Sequence, residues 1–434
     1  MSSLAIGFVG LGVLVLLLLL RVPIGVALGG VAFFGIWELT SPRAAWGVLA
    51  SIPYDFVAHW SLSSIPMFLL MGFISYRAGL TEGLFRAARV WLAGVPGGLA
   101  VTTIGGAAGF SAVTGSSVAC AAAMARIALP EMRRYRYDPG LATGVVAAAG
   151  TIGSLIPPSI ILLIYGIFAE VPISKLFIAG ILPGLLTATM YAVMVVSRVK
   201  LKPSLAPDRV PASGLREKVA ALGETWPVLL LIIGVFGGLF GGLFTPTEAG
   251  AVGALMAIIV ALLKRTLSIE TFKLAVSETL QSTAAIFVIA IGAQLLTRFL
   301  ALSGVPEFLA DTLAVEGGSV LLLVLGFSLA YLVLGMFVDP IGIMLLTLPI
   351  ILPIADAADI NLIWLGILVT KYLEIGLITP PVGLNVFVIR SAVDDIEITT
   401  IFRGIGWFVA ADIVTLALLI AFPAISLYLP GLLD

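Results

Sequence analysis

Along most of the chain, apolar residues run for the roughly 20 positions that an α-helix needs to cross a bilayer, then stop at a short polar or basic joint. Read this way, the pattern predicts spans at 4–20, 22–38, 55–76, 141–168, 175–197, 227–243, 247–264, 275–302, 361–391 and 403–429. The first run, LAIGFVGLGVLVLLLLL, has no basic residue before it and a second run follows at once, so it reads as a helix and not as a cleaved leader. Two further apolar stretches, 91–129 and 319–355, are each about twice a span in length and have a polar or proline-containing break at the centre.

Whether each long stretch crosses twice or dips in and returns, its two ends lie on one side of the membrane. Arg77, Arg86 and Arg89 precede the first stretch, and Arg126, Arg133, Arg134 and Arg136 lie at its end or just after, which makes that side cytoplasmic. Counting spans onward places 198–218 (with Arg209) and 264–273 on the same side. Every lysine and arginine except Arg43, Lys175, Arg298 and Lys371 then falls inside, and both termini fall outside. The second stretch is entered from the outside, among Glu307, Asp311, Glu316, Asp356 and Asp359.

Internal repetition supports the same layout. Pro23 and Pro246, Pro130 and Pro353, and Pro157-Pro158 and Pro380-Pro381 are all separated by one and the same interval. The chain divides into a first half, 1–197, a cytoplasmic linker, 198–226, and a second half, 227–434. Each half is expected to hold five spans and one re-entrant hairpin, and the odd number turns the second half upside down. At this offset Ser116 corresponds to Asp339, and Ser117 to Pro340.

With 60% hydrophobic and 11% charged residues and a mean hydropathy of +1.18, no water-soluble fold of 434 residues is credible. The expected class is an all-α polytopic membrane protein. An inverted repeat with broken helices is a transporter architecture. In TIGSLIPPSIILL, Pro157 and Pro158 remove amide donors and free carbonyls upstream, and Pro380 and Pro381 do the same in GLITPPVGLNVFVI beside Thr379 and Asn385. Unpaired backbone in hydrocarbon is tolerated only where it is buried in protein or lines a wet cavity. Freed carbonyls and hydroxyls there are hard oxygen ligands suited to a small cation. The segment Thr114-Gly115-Ser116-Ser117 reads either as a tight helix contact through small residues or as the tip of a re-entrant hairpin with arms 91–113 and 117–129. On the second reading the two tips enter from opposite sides, meet near the midplane and hold the substrate between them.

The hairpin AGFSAVTGSSVACAAAMARIALPEM, the opening RVPIGVALG and the late GLITPPVGLNVFVI resemble the large membrane subunit of tripartite ATP-independent periplasmic (TRAP) transporters, over nearly the whole chain. The resemblance implies a sodium-coupled, elevator-type importer of organic acids in the bacterial inner membrane. It also implies two partners, a small four-helix membrane subunit and a soluble periplasmic substrate-binding protein. Sodium would be held by residues matching Thr114, Gly115, Ser116, Ser117, Gly153 and Pro157, and by Asp339 with Thr379 and Pro381. Substrate would lie against Ser116, Ser117, Asp339, Pro340 and Asn385. A self-sufficient dicarboxylate or citrate carrier of the same superfamily is the alternative within transport.

Several charges lie inside predicted spans. Asp339 is a candidate ligand, because an ionisable group at the bilayer centre is costly, and it can also cap a helix. Arg298 could clamp a substrate carboxylate with its two-donor fork, or could snorkel to an interface. Lys371 and Glu374, three apart on one helix, are expected to satisfy each other, and Asp412 to pair with a basic residue that the sequence does not identify. The glycines of GGLFGGLF suggest close helix contacts, and the lone Cys120 suggests packing. No nucleotide-binding loop is present. A serine-based intramembrane hydrolase, the alternative from another class, would need a base, and the lone His59 sits beside Trp60 at a span's end. Neither an organic cofactor nor nucleic acid is expected as a partner.

Overall fold

The computed structural model describes all residues except 93, 208–213, 316–319, 394 and 433–434. Arg209, Glu316 and the first residue of the 319–355 stretch lie outside the described residues. Every regular element described is helical. The chain opens with α1 (Ser3–Leu19) and α2 (Ile24–Leu39), separated at Arg21, which takes φ 62°, and at Pro23, the N-cap of α2. Where the hydrophobic pattern gives only a joint, a helix α3 (Pro42–Val57) forms, with the Ser41 hydroxyl accepting from the Ala44 amide at 3.2 Å. It continues through a turn at Trp60–Ser63 into α4 (Ser64–Arg77) with a 58° bend. The span expected at 55–76 is therefore the second limb of a bent pair.

The first hairpin also begins later than expected. Residues before it form α5 (Glu82–Leu92), a separate amphipathic helix that buries Phe85 and Ala87 and turns Arg86 and Arg89 outward to Glu224 (3.1 Å) and Glu131 (3.0 Å). Gly97, at φ 70°, reverses the chain into α6 (Gly98–Thr114), which packs on α7 (Ser117–Arg134) across a two-residue turn. The arms are thus 98–114 and 117–134 instead of 91–113 and 117–129. A helix broken in the middle follows, α8 (Pro139–Thr151) and α9 (Ile160–Phe168), then the long α10 (Ile173–Leu201).

After the short α11 (Leu215–Gly223) come α12 (Trp226–Phe240), α13 (Pro246–Leu263), the 35-residue α14 (Ile269–Ser303) and α15 (Val305–Val315). The second hairpin consists of α16 (Val320–Gly335) and α17 (Pro340–Ala357). A second broken helix, α18 (Leu362–Ile378) and α19 (Leu384–Ala392), precedes α20 (Ile398–Ala421) and α21 (Ala424–Leu427). The starts of α5 and α15 (82 and 305), α7 and α17 (117 and 340), and α8 and α18 (139 and 362) repeat the interval that separates the paired prolines. Among the described residues, α10, α13, α14, α17 and α20 are long and apolar enough to cross a membrane alone, and α3/α4 and α11/α12 pass that test as bent pairs.

Packing divides the helices into two groups. In one, α14 lies along α2 and α4, with α1, α12 and α13 against them. The approach is close, since a Cβ on Gly292 would sit 2.6 Å from the Gly25 carbonyl oxygen. In the other, α7 packs on α8, α8 on α20, α19 on α7 and α16 along α18, the last through Gly335 and Gly376. The glycines of GGLFGGLF contribute less than expected: Gly238 packs on the nearby Phe244 ring, while Gly242 has open space around it.

Candidate functional site

At the first hairpin tip, Gly115 ends α6 at φ 61°, a left-handed conformation that favours glycine. A side chain there would also collide with the Pro158 carbonyl oxygen. Ser116 is the N-cap of α7, accepting from the Ala119 amide at 3.4 Å, and Thr114 donates to the Phe110 carbonyl at 3.2 Å. The tip lies against the break between α8 and α9, where Gly153 is flush with Ser117 and the Ser117 and Ser154 hydroxyls share a 2.6 Å hydrogen bond. Pro157 is buried in that break, joined to Pro158 by a cis peptide bond.

The second tip repeats the plan with different chemistry. Asp339 is the N-cap of α17, its Oδ1 accepting from the Gly342 amide at 2.9 Å, and Pro340 takes the first helical position. Between this tip and the break at cis Pro380-Pro381 lies a hollow of about 60 Å³, bounded by Asp339, Gly376 and Gly383 among others. Thr379 closes α18 and donates to the Ile375 carbonyl at 2.6 Å. Asn385 is buried and donates to the Ala147 carbonyl at 3.1 Å, tying α19 to α8, while its Oδ1 has no hydrogen-bond partner among the described residues.

Both tips line one cavity of about 310 Å³, closed on the far side by α14 and α4. Ser116, Ser117 and Ser154 face it from the first half, Asp339 and Pro340 from the second, and Ser282 from α14. Its lining repeats at the offset seen in the sequence: Ser116 pairs with Asp339, Ser117 with Pro340, Ser154 with Leu377, and Ile161 with Leu384. At the tips, the hydroxyls belong to one half and the carboxylate to the other. Thr114, Gly153, Pro157, Thr379, Pro381 and Asn385 stand behind the tips and do not line this cavity. Ser154 and Ser282 are missing from the sequence-based set, and the offset gives no pointer to Ser154, since its counterpart is the apolar Leu377.

Arg298 is not brought to the cavity. It is exposed on α14, nine residues, or about 13 Å, beyond Ile289, the last α14 residue facing the cavity. The substrate-clamp expectation therefore has no geometric basis, and an exposed position near the helix end matches snorkelling. The buried charges pair as expected in kind, Lys371 with Glu374 and Asp412 with a basic residue, but one lysine serves both carboxylates. Lys371 Nζ is 2.6 Å from Asp412 Oδ1 on α20 and 3.9 Å from Glu374 Oε2, so Asp412 and not Glu374 is its close partner. The Tyr191 hydroxyl donates to Asp412 Oδ2 at 2.7 Å, and Glu374 Oε1 accepts from the Ser154 amide at 3.0 Å. Helix spacing suggested the Lys371–Glu374 contact, but the closer partner comes from another helix. His59 is exposed at a separate hollow with Asp55 and Glu170, well apart from the serines of the tip, so a histidine-activated serine is not assembled here.

Residues 11–425 match the family described as "Tripartite ATP-independent periplasmic transporter, DctM component". The chain belongs to this family, as a large TRAP transporter subunit. Among its relatives, the C4-dicarboxylate TRAP transporter large permease protein DctM of Pseudomonas aeruginosa is 36% identical over 378 residues, 86% of this chain and 87% of that protein. The sialic acid TRAP transporter large permease protein SiaM of Vibrio cholerae is 32% identical over 377 residues, 87% of each chain. In fold, the chain is similar to the Alcanivorax borkumensis YdaH transporter, with a TM-score of 0.64 and 15% identity, covering 89% of this chain and 90% of that one. The TRAP family match takes in both hairpins and both broken helices, so the cavity is built wholly from family sequence. Its relatives are named as transporter permeases and not as enzymes.

Proposed function

We propose that the chain is the sodium-coupled translocation subunit of an importer of organic acids, and that the cavity between the hairpin tips holds the substrate. One observation carries this reading: two tips from the two halves of the chain, with a carboxylate on one and hydroxyls on the other, face a single cavity against α14. Substrate anions named for the relatives, C4-dicarboxylate and sialic acid, make an organic acid the natural class. Sodium sits at the tips, one ion among Thr114–Ser117, Gly153 and Pro157 and another by Asp339, with Thr379 and Pro381 from the adjoining break. There, carbonyls freed by the Pro-Pro breaks join hydroxyl and carboxylate oxygens. Carboxylate and carbonyl oxygens suit a hard cation. A bound cation offsets part of the repulsion between Asp339 and a substrate anion, which links ion binding to substrate binding.

The halves 1–197 and 227–434, joined by the linker 198–226, form an inverted repeat in the bacterial inner membrane with both termini periplasmic. The hairpins and broken helices move as one body against the group built on α2, α4, α13 and α14. A small four-helix membrane subunit enlarges that immobile group, and a periplasmic binding protein delivers substrate to the outer face. The test is uptake of a radiolabelled C4-dicarboxylate or sialic acid into proteoliposomes holding this chain, with and without its small subunit and binding protein, under an inward sodium gradient. Uptake that needs the gradient and both partners supports the proposal. Robust uptake of free substrate by the chain alone favours a self-sufficient carrier instead, and uptake indifferent to sodium removes the coupling.

A further inference from the structure

Three fully buried charged side chains, Lys371, Glu374 and Asp412, lie behind the first hairpin tip and outside the cavity. Removing charges from water is costly, and an ion pair in a low-dielectric interior only partly offsets that cost. A hydrophobic trio would pack at least as well, so the arrangement calls for a role. The contacts trace one. Tyr191 of α10 and Lys371 hold Asp412, and Lys371 also faces Glu374. Glu374 Oε1 receives the Ser154 amide at 3.0 Å, and the Ser154 hydroxyl bonds that of Ser117 at 2.6 Å. Ser154 belongs to the single turn Ile152–Ser154 that ends α8 at the break, where regular helix hydrogen bonding stops and an outside acceptor has most to fix.

We propose that Glu374 and Ser154 are positioning residues for the first hairpin tip: the buried carboxylate fixes the Ser154 turn, and the Ser154 hydroxyl fixes Ser117. The affinity of the tip for its ion is then set through Glu374 and Asp412 of α18 and α20, side chains that do not themselves line the cavity. This rests on the reading of the tip as an ion site, and the test separates the two.

Uptake is measured over a sodium series for Ser154→Ala, Glu374→Ala and Glu374→Gln, in the complete complex. Ser154→Ala and Glu374→Ala should raise half-saturating sodium roughly three- to tenfold, the equivalent of one buried hydrogen bond, with the maximal rate largely kept. Glu374→Gln keeps a carbonyl acceptor for the Ser154 amide and should recover most of the loss. An unchanged half-saturation in Ser154→Ala, or Gln as damaging as Ala at 374, overturns the proposal. A second measurement does not depend on transport: the rate at which a small thiol reagent labels Ser116→Cys, with Cys120 replaced by alanine. Adding Ser154→Ala should speed labelling by releasing the tip. Faster labelling in a protein whose uptake ignores sodium leaves the positioning role intact and removes the ion site. Unchanged labelling overturns the positioning role whatever the transport result, and it decides the matter if Glu374→Ala does not fold.

Discussion

Asp339 and Ser116 occupy equivalent places in the two halves, each capping the second arm of its hairpin, yet only one carries a charge. An N-cap is filled equally well by aspartate, asparagine or serine. Capping therefore does not account for the carboxylate, whereas the proposed cation would. Asp339→Asn preserves the cap and should still raise the half-saturating sodium concentration, while Ser116→Ala should raise it less, since it removes one neutral ligand and no charge. Sodium-dependent uptake separates these, and an unchanged dependence in both folded variants removes the tips from the ion site. Arg298 carries the opposite expectation: Arg298→Lys and Arg298→Ala should both keep substrate affinity within the scatter of conservative surface changes, and a selective loss with lysine would restore the bidentate clamp. The sequence made the tips legible because polar residues and prolines in the middle of an apolar run are conspicuous. Ser154 and Ser282 were not legible, since a single serine in a helical run is ordinary and its importance comes from the residue opposite.

At the scale of elements, the hairpins, the broken helices and the offset between halves were readable from proline positions and from run length. What escaped were helices whose polar content hides them: α3, with Arg43 and Asp55 near its ends, and α5, whose outward arginines interrupt the apolar pattern. The contact between α18 and α20 also escaped, because hydrophobic periodicity predicts a helix but not its neighbour. That contact makes an ordered prediction. Removing one partner of a buried ion pair typically costs about 3–5 kcal/mol. Lys371→Met should be the most damaging single change, because it leaves Glu374 and Asp412 as two buried carboxylates without a cation. Asp412→Leu leaves Lys371 with Glu374 still 3.9 Å away and should cost less. The double variant Lys371→Met/Asp412→Leu should be more stable than Lys371→Met alone. Thermal unfolding in detergent gives the order, and a double variant as weak as the sum of the singles would mean the two groups do not act as a pair.

For the whole molecule, the division into two packed groups matters more than any single residue. The cavity lies on the boundary between them, with Leu69, Ala285 and Ile286 on the α4/α14 side and the tips on the other. Across most of the first group the contacts are apolar, and small residues such as Gly25 and Gly292 lock its helices at close range. The first tip, by contrast, is hydrogen-bonded to its own broken helix through Ser117 and Ser154, and the hairpins meet the first group by packing alone, Thr114 against Gly72 of α4, Gly342 against Ile24 of α2, and α17 along α14. A body hydrogen-bonded within itself and meeting its neighbour through apolar and small-residue contacts is the one that can slide. Joining the two sides should therefore arrest transport without disturbing either site. With Cys120 replaced by serine, Ala285→Cys on α14 and Ile341→Cys at the second tip both face the cavity, and a short thiol cross-linker should bridge them. Uptake should stop on cross-linking and return when a reducible linker is cleaved, while sodium-induced thermal stabilisation persists, because the tips keep their own ligands. Continued uptake in protein shown to be fully cross-linked would mean that the hairpins do not travel past α14, and that substrate crosses by local opening of the tips.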